Sequence, residues 1–240
     1  MINRIKKLIS FGVISCILVI NEGLITFASP YGICDDFNNY MKSSVPSLYS
    51  GGVFEEQGIN TYKYHGTCSE ASEANIMNLM FGTDYTEQDF VDLAVKLGLC
   101  TVDSDNQFIN GGQTPIQMAN VLQYMGGTTG HPVKAEIKVT KDVPDSVSCA
   151  SILSNDRKII MAVDSNVLWN VVPNNNYFDS NHWIVVDSPI YENGVVVGYN
   201  IVDSSGSHIR TVTSSKFNEM IFGPTKKEIP YCACVIVSKI

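Results

Sequence analysis

Two apolar runs, HWIVVDSPI at 182–190 and VVVGYNIVD at 195–203, flank the dipeptide Asn193-Gly194. Asn-Gly between β-branched runs predicts a two-residue hairpin turn, because such turns need positive φ at both central residues. This hairpin constrains the fold more than any other feature, since it fixes which residues of two strands face each other. With Asn193 and Gly194 at the centre of the turn, Ile184 pairs with Asp203. His182 and Asp203 then become diagonal neighbours on one face.

This prediction depends on the parity of the loop. A two-residue loop at Glu192-Asn193 would place His182 directly opposite Asp203, and a three-residue loop would put them on opposite faces. Side chains alternate along a strand, so Asp187 faces away from His182 and is the poorer partner for it.

The remaining chain reads as helices first and strands afterwards. Helical spacing is found at 68–81, at 87–97 after a candidate cap at Thr86, and from Pro115 after the capping box Thr114–Gln117. Further strands are predicted at 132–140, 158–165 and 231–240, with short helices at 146–153 and 214–221. Helices followed by an antiparallel sheet indicate an α+β fold, with N-terminal helices packed on the sheet.

The stretch YHGTCSEASEANIMNLMFG at 64–82 places a cysteine at the start of a helix. Thr67 is the predicted N-cap, Glu70 completes an S/T-x-x-E capping box, and Gly82 ends the helix. Cys68 then lies where the helix dipole stabilises an anion, and a thiolate in that position is a nucleophile. The alternative interpretation is a small buried core cysteine.

A cysteine nucleophile needs a base and a group that orients the base. His182 has Asp203 nearby in the predicted hairpin. Of the other histidines, His65 lies in the turn before Cys68 without a group to hold its ring. His131 lies in a glycine-rich turn, and His208 follows a serine-rich turn. His182 and Asp203 are therefore the predicted partners of Cys68.

The first 28 residues have a basic start, an apolar stretch at 8–20 and small residues near Ala28. This is the layout of a secretory signal peptide, which predicts a secreted or cell-surface protein with one domain at 29–240. Two alternatives are a lipoprotein signal ending at Cys16 and an uncleaved N-terminal anchor. After cleavage we expect no integral membrane span.

The chain holds 16 Lys and Arg and 24 Asp and Glu, and residues 1–28 contain three of the bases and one of the acids. The rest is strongly acidic, which argues against nucleic-acid binding and against attraction to anionic membranes. Cys232 and Cys234 would point to one face of a strand and are poorly placed to bond to each other. No CxxC pair or matching histidine pair is present, so we expect no metal site.

The order Cys, His, Asp, carried by EEQGINTYKYHGTCSEAS, NHWIVVDS and GYNIVDSSG, resembles papain-like cysteine peptidases. The bacterial branch related to double-glycine leader (bacteriocin-processing) peptidases is the most similar. The resemblance extends from about residue 57 to residue 222. It implies a papain-like fold, Cys68, His182 and Asp203 as catalytic residues, and Gln57 as an oxyanion donor.

The sequence departs from that family in three places. The nucleophile is followed by Ser-Glu rather than Gly-Pro, and Asp203 is followed by Ser rather than Pro. Gln57 lies eleven residues before Cys68, a long gap that leaves Asn60 as an alternative oxyanion donor.

The resemblance implies a thiol peptidase that acts on peptides or proteins without a cofactor. The alternatives are another thiol hydrolase or acyltransferase, such as a cell-wall amidase or a transglutaminase-like enzyme, and a catalytically inactive secreted binding module.

Overall fold

The computed structural model describes residues 55–103, 105–171, 180–205, 208–223 and 232–240. The predicted signal peptide at 1–28, the start of the predicted domain and Cys34 lie outside these ranges. No helix within them combines the length and the apolar character needed to cross a membrane.

Three helices open the described chain, and they follow the predicted bounds. They are α1 (Cys68–Phe81), α2 (Glu87–Leu97) and α3 (Pro115–Thr129). Reciprocal capping boxes begin α2 at Thr86 and α3 at Thr114, and glycines in the left-handed conformation end all three helices. Local capping chemistry therefore sets the limits of α2 and α3.

The second half contains the strands β1 (Val133–Val139), β2 (Arg157–Val163), β3 (His182–Glu192), β4 (Val195–Asp203), β5 (His208–Thr213) and β6 (Ala233–Lys239). Short helices α4 (Ser146–Ile152), α5 (Ser165–Leu168) and α6 (Ser214–Phe222) lie between them, with one 3₁₀ turn at Thr140–Asp142. The described strands form one sheet in the order β1-β6-β2-β3-β4-β5, and each neighbouring pair is antiparallel. The α+β class predicted from the sequence is confirmed.

Both faces of the sheet are covered, because alternate residues of the central strands enter two different apolar clusters. Val185 and Val235 pack with side chains of α1, α2 and α3, including Met77 and Leu122. Ile184 and the other strand residues whose side chains point to its face pack with α4, α5 and α6. A strand buried on both faces reads as a continuous apolar run, as these strands do.

Candidate active site

Cys68 is the first residue of α1 and is buried. The predicted capping box before it is wrong. Thr67 has φ −95° and ψ 25°, outside the extended region that an N-cap uses, and its side chain makes no capping bond. Its hydroxyl instead donates to a Glu87 oxygen, and Glu70 accepts from the Ser69 hydroxyl at 2.6 Å.

Gly66 allows the turn before Cys68 to lie flat against another stretch of backbone. Its N–H donates to the Asn110 carbonyl at 3.0 Å, and the N–H of His65 donates to the Gln107 carbonyl at 3.0 Å. A Cβ at position 66 would lie 2.9 Å from the carbonyl oxygens of Asn110 and Phe108. Only glycine fits this close approach, which fixes where α1 begins.

The chain segment between Gln57 and Cys68 folds into a loop whose two ends lie close together. The N–H of Gly58 donates to the Thr67 hydroxyl at 3.0 Å, so the residues directly after Gln57 and directly before Cys68 touch. Gln57 also bonds to the residue that follows β4, because its N–H donates to the Ser204 carbonyl at 3.0 Å and its Oε1 accepts from the Ser204 hydroxyl at 3.2 Å. This pairing places Gln57 beside the residue that follows Asp203.

Asn60, the alternative oxyanion donor, is engaged inside this loop. Its Nδ2 donates to the Tyr64 carbonyl at 2.7 Å and lies 3.3 Å from a Glu87 oxygen, and its Oδ1 accepts from the Tyr64 N–H at 3.0 Å. These bonds shape the loop and leave Asn60 with a local role.

The hairpin that carries His182 and Asp203 has the predicted register at its far end. Asn193 and Gly194 both have positive φ, 50° and 80°, as a type I′ turn requires. Ile184 pairs with Asp203, and His182 Nε2 lies 2.8 Å from Asp203 Oδ1. The predicted diagonal contact is confirmed.

Two irregularities lie between the turn and this contact. Asp187 is an extra residue on β3, where the register shifts between Val186 and Ser188. Residue 197 is an extra residue on β4, where the register shifts between Ile190 and Tyr191. Each β-bulge displaces the pairing by one residue, and the two displacements cancel before they reach His182.

Asp203 is fully buried and is surrounded by donors. Besides His182, its carboxylate accepts from Trp169 Nε1 at 2.9 Å, Arg210 Nε at 2.8 Å and the Ser205 N–H at 3.0 Å. Burial alone would raise the pKa of Asp203. The hydrogen bond and charge of His182, the charge of Arg210 and the Trp169 bond outweigh burial and hold that pKa below its usual range.

The two ring nitrogens of His182 differ in their hydrogen bonding. Nε2 meets Asp203, whereas Nδ1 is buried and has no hydrogen-bond partner among the described residues. The Trp169 ring lies against the imidazole with the centroids 5.3 Å apart. A buried polar atom without a partner is costly, so its presence needs a reason such as a chemical task.

A hydrogen bond connects α1 to the start of β3. The Ser72 hydroxyl donates to the Trp183 carbonyl at 3.1 Å, next to His182 in the chain. Cys68 is four residues before Ser72 on the same helix, so it lies on the same face, one turn nearer the N-terminus. The first turn of α1 therefore lies near the beginning of the strand that carries His182.

The other candidate partners lie in different surroundings. His65 stacks on Phe108, and His131 contacts Tyr85 and Phe81. Asp187 forms a buried ion pair with Lys158 at 2.7 Å. His208 begins β5, paired with Asp203 in the backbone ladder.

The remaining described cysteines are shielded and make no disulfide bonds. Burial raises the pKa of Cys100 and of Cys234 to about 12, and it also raises the pKa of Cys149 and Cys232. These four thiols are poor nucleophiles at neutral pH. No group of three or more His, Cys, Asp or Glu in the described part of the chain is arranged to hold a metal ion.

Three residues of this site, Trp169, Ser204 and Arg210, were not predicted from the sequence. Arg210 lies on β5, a strand that was not predicted, and Trp169 directly follows α5, which was not predicted either. Nothing local marks Trp169 or Arg210 as a partner of Asp203, because the contacts arise only when three distant segments meet.

No protein family matches the sequence, and no curated protein matches it. Among solved structures, the Pseudomonas avirulence protein AvrPphB is similar over 72% of this chain and 91% of its own, with 12% identical residues and a TM-score of 0.33. A TM-score of this size carries no argument about fold or function.

Proposed function

We propose that this chain is a secreted bacterial cysteine peptidase with a papain-like arrangement of Cys68, His182 and Asp203. One observation carries the proposal. A buried imidazole has its Nε2 held by a buried carboxylate, its Nδ1 has no partner among the described residues, and it stands at the start of the strand beside the first turn of α1. A base oriented in this way is what a cysteine nucleophile requires.

The reaction begins when the Cys68 thiolate attacks the carbonyl carbon of a peptide bond. The negative charge on the carbonyl oxygen is stabilised by the Cys68 backbone N–H and the Gln57 amide, and losing one such donor typically costs about 100- to 1000-fold in rate. The protonated Nδ1 of His182 then gives its proton to the leaving amine, and a thioester to Cys68 remains.

Hydrolysis of the thioester completes the cycle. His182 Nδ1 accepts a proton from water, the hydroxide attacks the thioester carbon, and the carbon–sulfur bond breaks to release the carboxylic acid and restore the Cys68 thiolate beside a protonated Nδ1. Asp203 keeps the ring in place throughout and stabilises its positive charge. No step in this scheme uses a cofactor.

The substrate class follows from the resemblance rather than from a pocket. The same three groups serve cell-wall amidases, transglutaminases and acyltransferases, and they also persist in inactive binding modules. The proposed secretion rests on the signal-peptide layout of residues 1–28, and the acidic chain argues against a nucleic-acid partner.

The test is a Cys68→Ala variant assayed on casein and on peptide libraries, with Cys100→Ala as the matched control. We expect Cys68→Ala to abolish turnover and Cys100→Ala to retain it, because burial keeps the Cys100 thiol protonated. Iodoacetamide should label Cys68 first. Turnover that survives Cys68→Ala would refute a thiol mechanism, and amine incorporation without release of free acid would favour a transferase.

A further inference from the structure

Glu87 is the first residue of α2, yet most of its hydrogen bonds leave that helix. Its Oε1 accepts from the Gly58 N–H at 2.7 Å, from Asn60 Nδ2 at 3.3 Å and from the Thr67 hydroxyl, and its Oε2 accepts from the Ile59 N–H at 2.8 Å. Glu87 is almost completely buried. A buried carboxylate with this many donors is an organising group rather than a solvent-exposed helix cap.

The donors to Glu87 come from both ends of the loop that separates Gln57 from Cys68. Gly58 directly follows Gln57, and Thr67 directly precedes Cys68. A further bond from the Gly58 N–H to the Thr67 hydroxyl, 3.0 Å long, closes the loop at the same point. The Glu87 carboxylate therefore fixes the distance between the two predicted oxyanion donors, the Gln57 amide and the Cys68 N–H.

From these contacts we infer that Glu87 is a positioning residue that holds the Gln57 amide and the Cys68 N–H at the separation an oxyanion needs. The inference rests on the proposed peptidase function, and it adds a part of the site that lies on a different helix. It also accounts for the long gap between Gln57 and Cys68, because the intervening residues fold over Glu87 and bring the ends together.

Positioning of this kind has a specific kinetic signature. Displacing a catalytic group by about 1 Å can cost roughly 100-fold in rate. The Glu87 contacts do not include His182 or Asp203, which bond to each other, and Asp203 also bonds to Arg210 of β5. Removing the Glu87 contacts should therefore weaken oxyanion stabilisation and leave the reactivity of the Cys68 thiolate unchanged.

The experiment compares Glu87→Gln with Asp89→Asn in the full chain. Asp89 lies in the same first turn of α2, but its carboxylate bonds only to Thr86, in the capping box. For Glu87→Gln we expect kcat to fall about 10- to 100-fold with KM little changed. The rate of Cys68 alkylation by iodoacetamide, measured across pH, should stay at the wild-type value, since alkylation forms no oxyanion. Asp89→Asn should keep the wild-type kcat.

A second pair of variants tests the positioning role of Glu87 if Glu87→Gln does not fold. Thr67→Val removes the hydroxyl that bridges Gly58 and Glu87, and it should lower kcat without slowing alkylation. Thr67→Ser keeps the hydroxyl and should recover most of the lost turnover.

Three results would overturn the inference: wild-type kcat in both Glu87→Gln and Thr67→Val, parallel losses of turnover and alkylation, or an equal loss in Asp89→Asn. Turnover that survives Cys68→Ala would instead refute the proposed function, and Glu87 with it. Turnover that needs Cys68 but is indifferent to Glu87 would count against Glu87 alone.

Discussion

The far end of the hairpin and the first turns of α1 both bury carboxyl groups, with opposite results. Asp203 and Glu73 each have no exposed surface. Asp203 accepts four hydrogen bonds, whereas neither oxygen of Glu73 has a partner among the described residues. The pKa of Asp203 is lowered, but burial and the nearby Glu70 raise the pKa of Glu73 well above its usual value.

The difference shows that depth alone does not decide the pKa of a buried acid. Asp203 has cationic partners as well as hydrogen-bond donors, whereas burial raises the pKa of Glu87 in spite of its donors. Glu70 is intermediate, with one oxygen bonded to Ser69 and the other without a partner in the part of the chain that the structure describes. Burial raises the pKa of Glu70 to about 8. The hairpin therefore favours the anionic form of its acid, which can stabilise positive charge on His182, whereas burial in α1 favours the neutral form of Glu70 and Glu73.

The largest effect is expected for Asp203→Asn. The amide keeps the shape of the side chain but loses the charge that orients the His182 ring and stabilises the imidazolium formed during the reaction. We expect kcat for peptide hydrolysis to fall roughly 10³- to 10⁴-fold, the size seen when a triad aspartate becomes asparagine.

The control for Asp203→Asn is Asp156→Asn, because Asp156 is largely exposed in an ion pair with Lys239. The control should behave as wild type, and far-UV circular dichroism should show that both variants fold. A loss below about tenfold in Asp203→Asn would mean that the carboxylate does not serve the imidazole.

A smaller effect is expected when one donor to Asp203 is removed. Arg210→Met should lower the free energy of unfolding at pH 7 by about 2 kcal/mol, the usual worth of a hydrogen bond to a charged group. The pKa of Asp203 is depressed in the folded state, so this stability is present above the unfolded pKa of 3.8 and is lost as pH falls through the folded pKa. The deficit measured by urea unfolding should therefore shrink at pH 3.

Arg157→Met is the matched control for this substitution, since the exposed Arg157 side chain bonds only to the Ser238 hydroxyl. Its effect should stay within about 0.5 kcal/mol, as for most surface substitutions. Equal deficits in the two variants, or an Arg210→Met deficit that does not change with pH, would contradict the assigned charge on Asp203.

The smallest effect, and the one of opposite sign, is expected for Glu73→Met. Replacing an unpartnered buried acid by an apolar side chain of similar size should stabilise the protein by about 1–2 kcal/mol at pH 8. The folded pKa of Glu73 is raised, so its contribution is present below the unfolded pKa of 4.5 and is lost as pH rises toward the folded pKa. The gain in urea unfolding should be smaller at pH 5 than at pH 8, and the reverse order would show that Glu73 has a partner.

The sequence predicted those parts of the molecule that local chemistry determines. Capping residues fixed α2 and α3, and Asn193-Gly194 fixed the hairpin on which His182 meets Asp203. The box at Thr67 was wrong because Glu87, twenty residues away, binds the same hydroxyl, and local propensity holds no information about such a competitor. Trp169 and Arg210 were missed for the same reason, since each reaches Asp203 only through long-range packing.

The paired bulges make the contact of His182 with Asp203 depend on backbone shape as well as on the turn. If one bulge flattened into a regular ladder while the chain kept its length, the pairing beyond it would move by one residue, and His182 would point to the opposite face from Asp203. Deleting residue 187 or residue 197 would instead remove a bulge together with its extra residue and would keep Ile184 opposite Asp203. The hairpin can therefore change length at its bulges without separating the imidazole from the carboxylate.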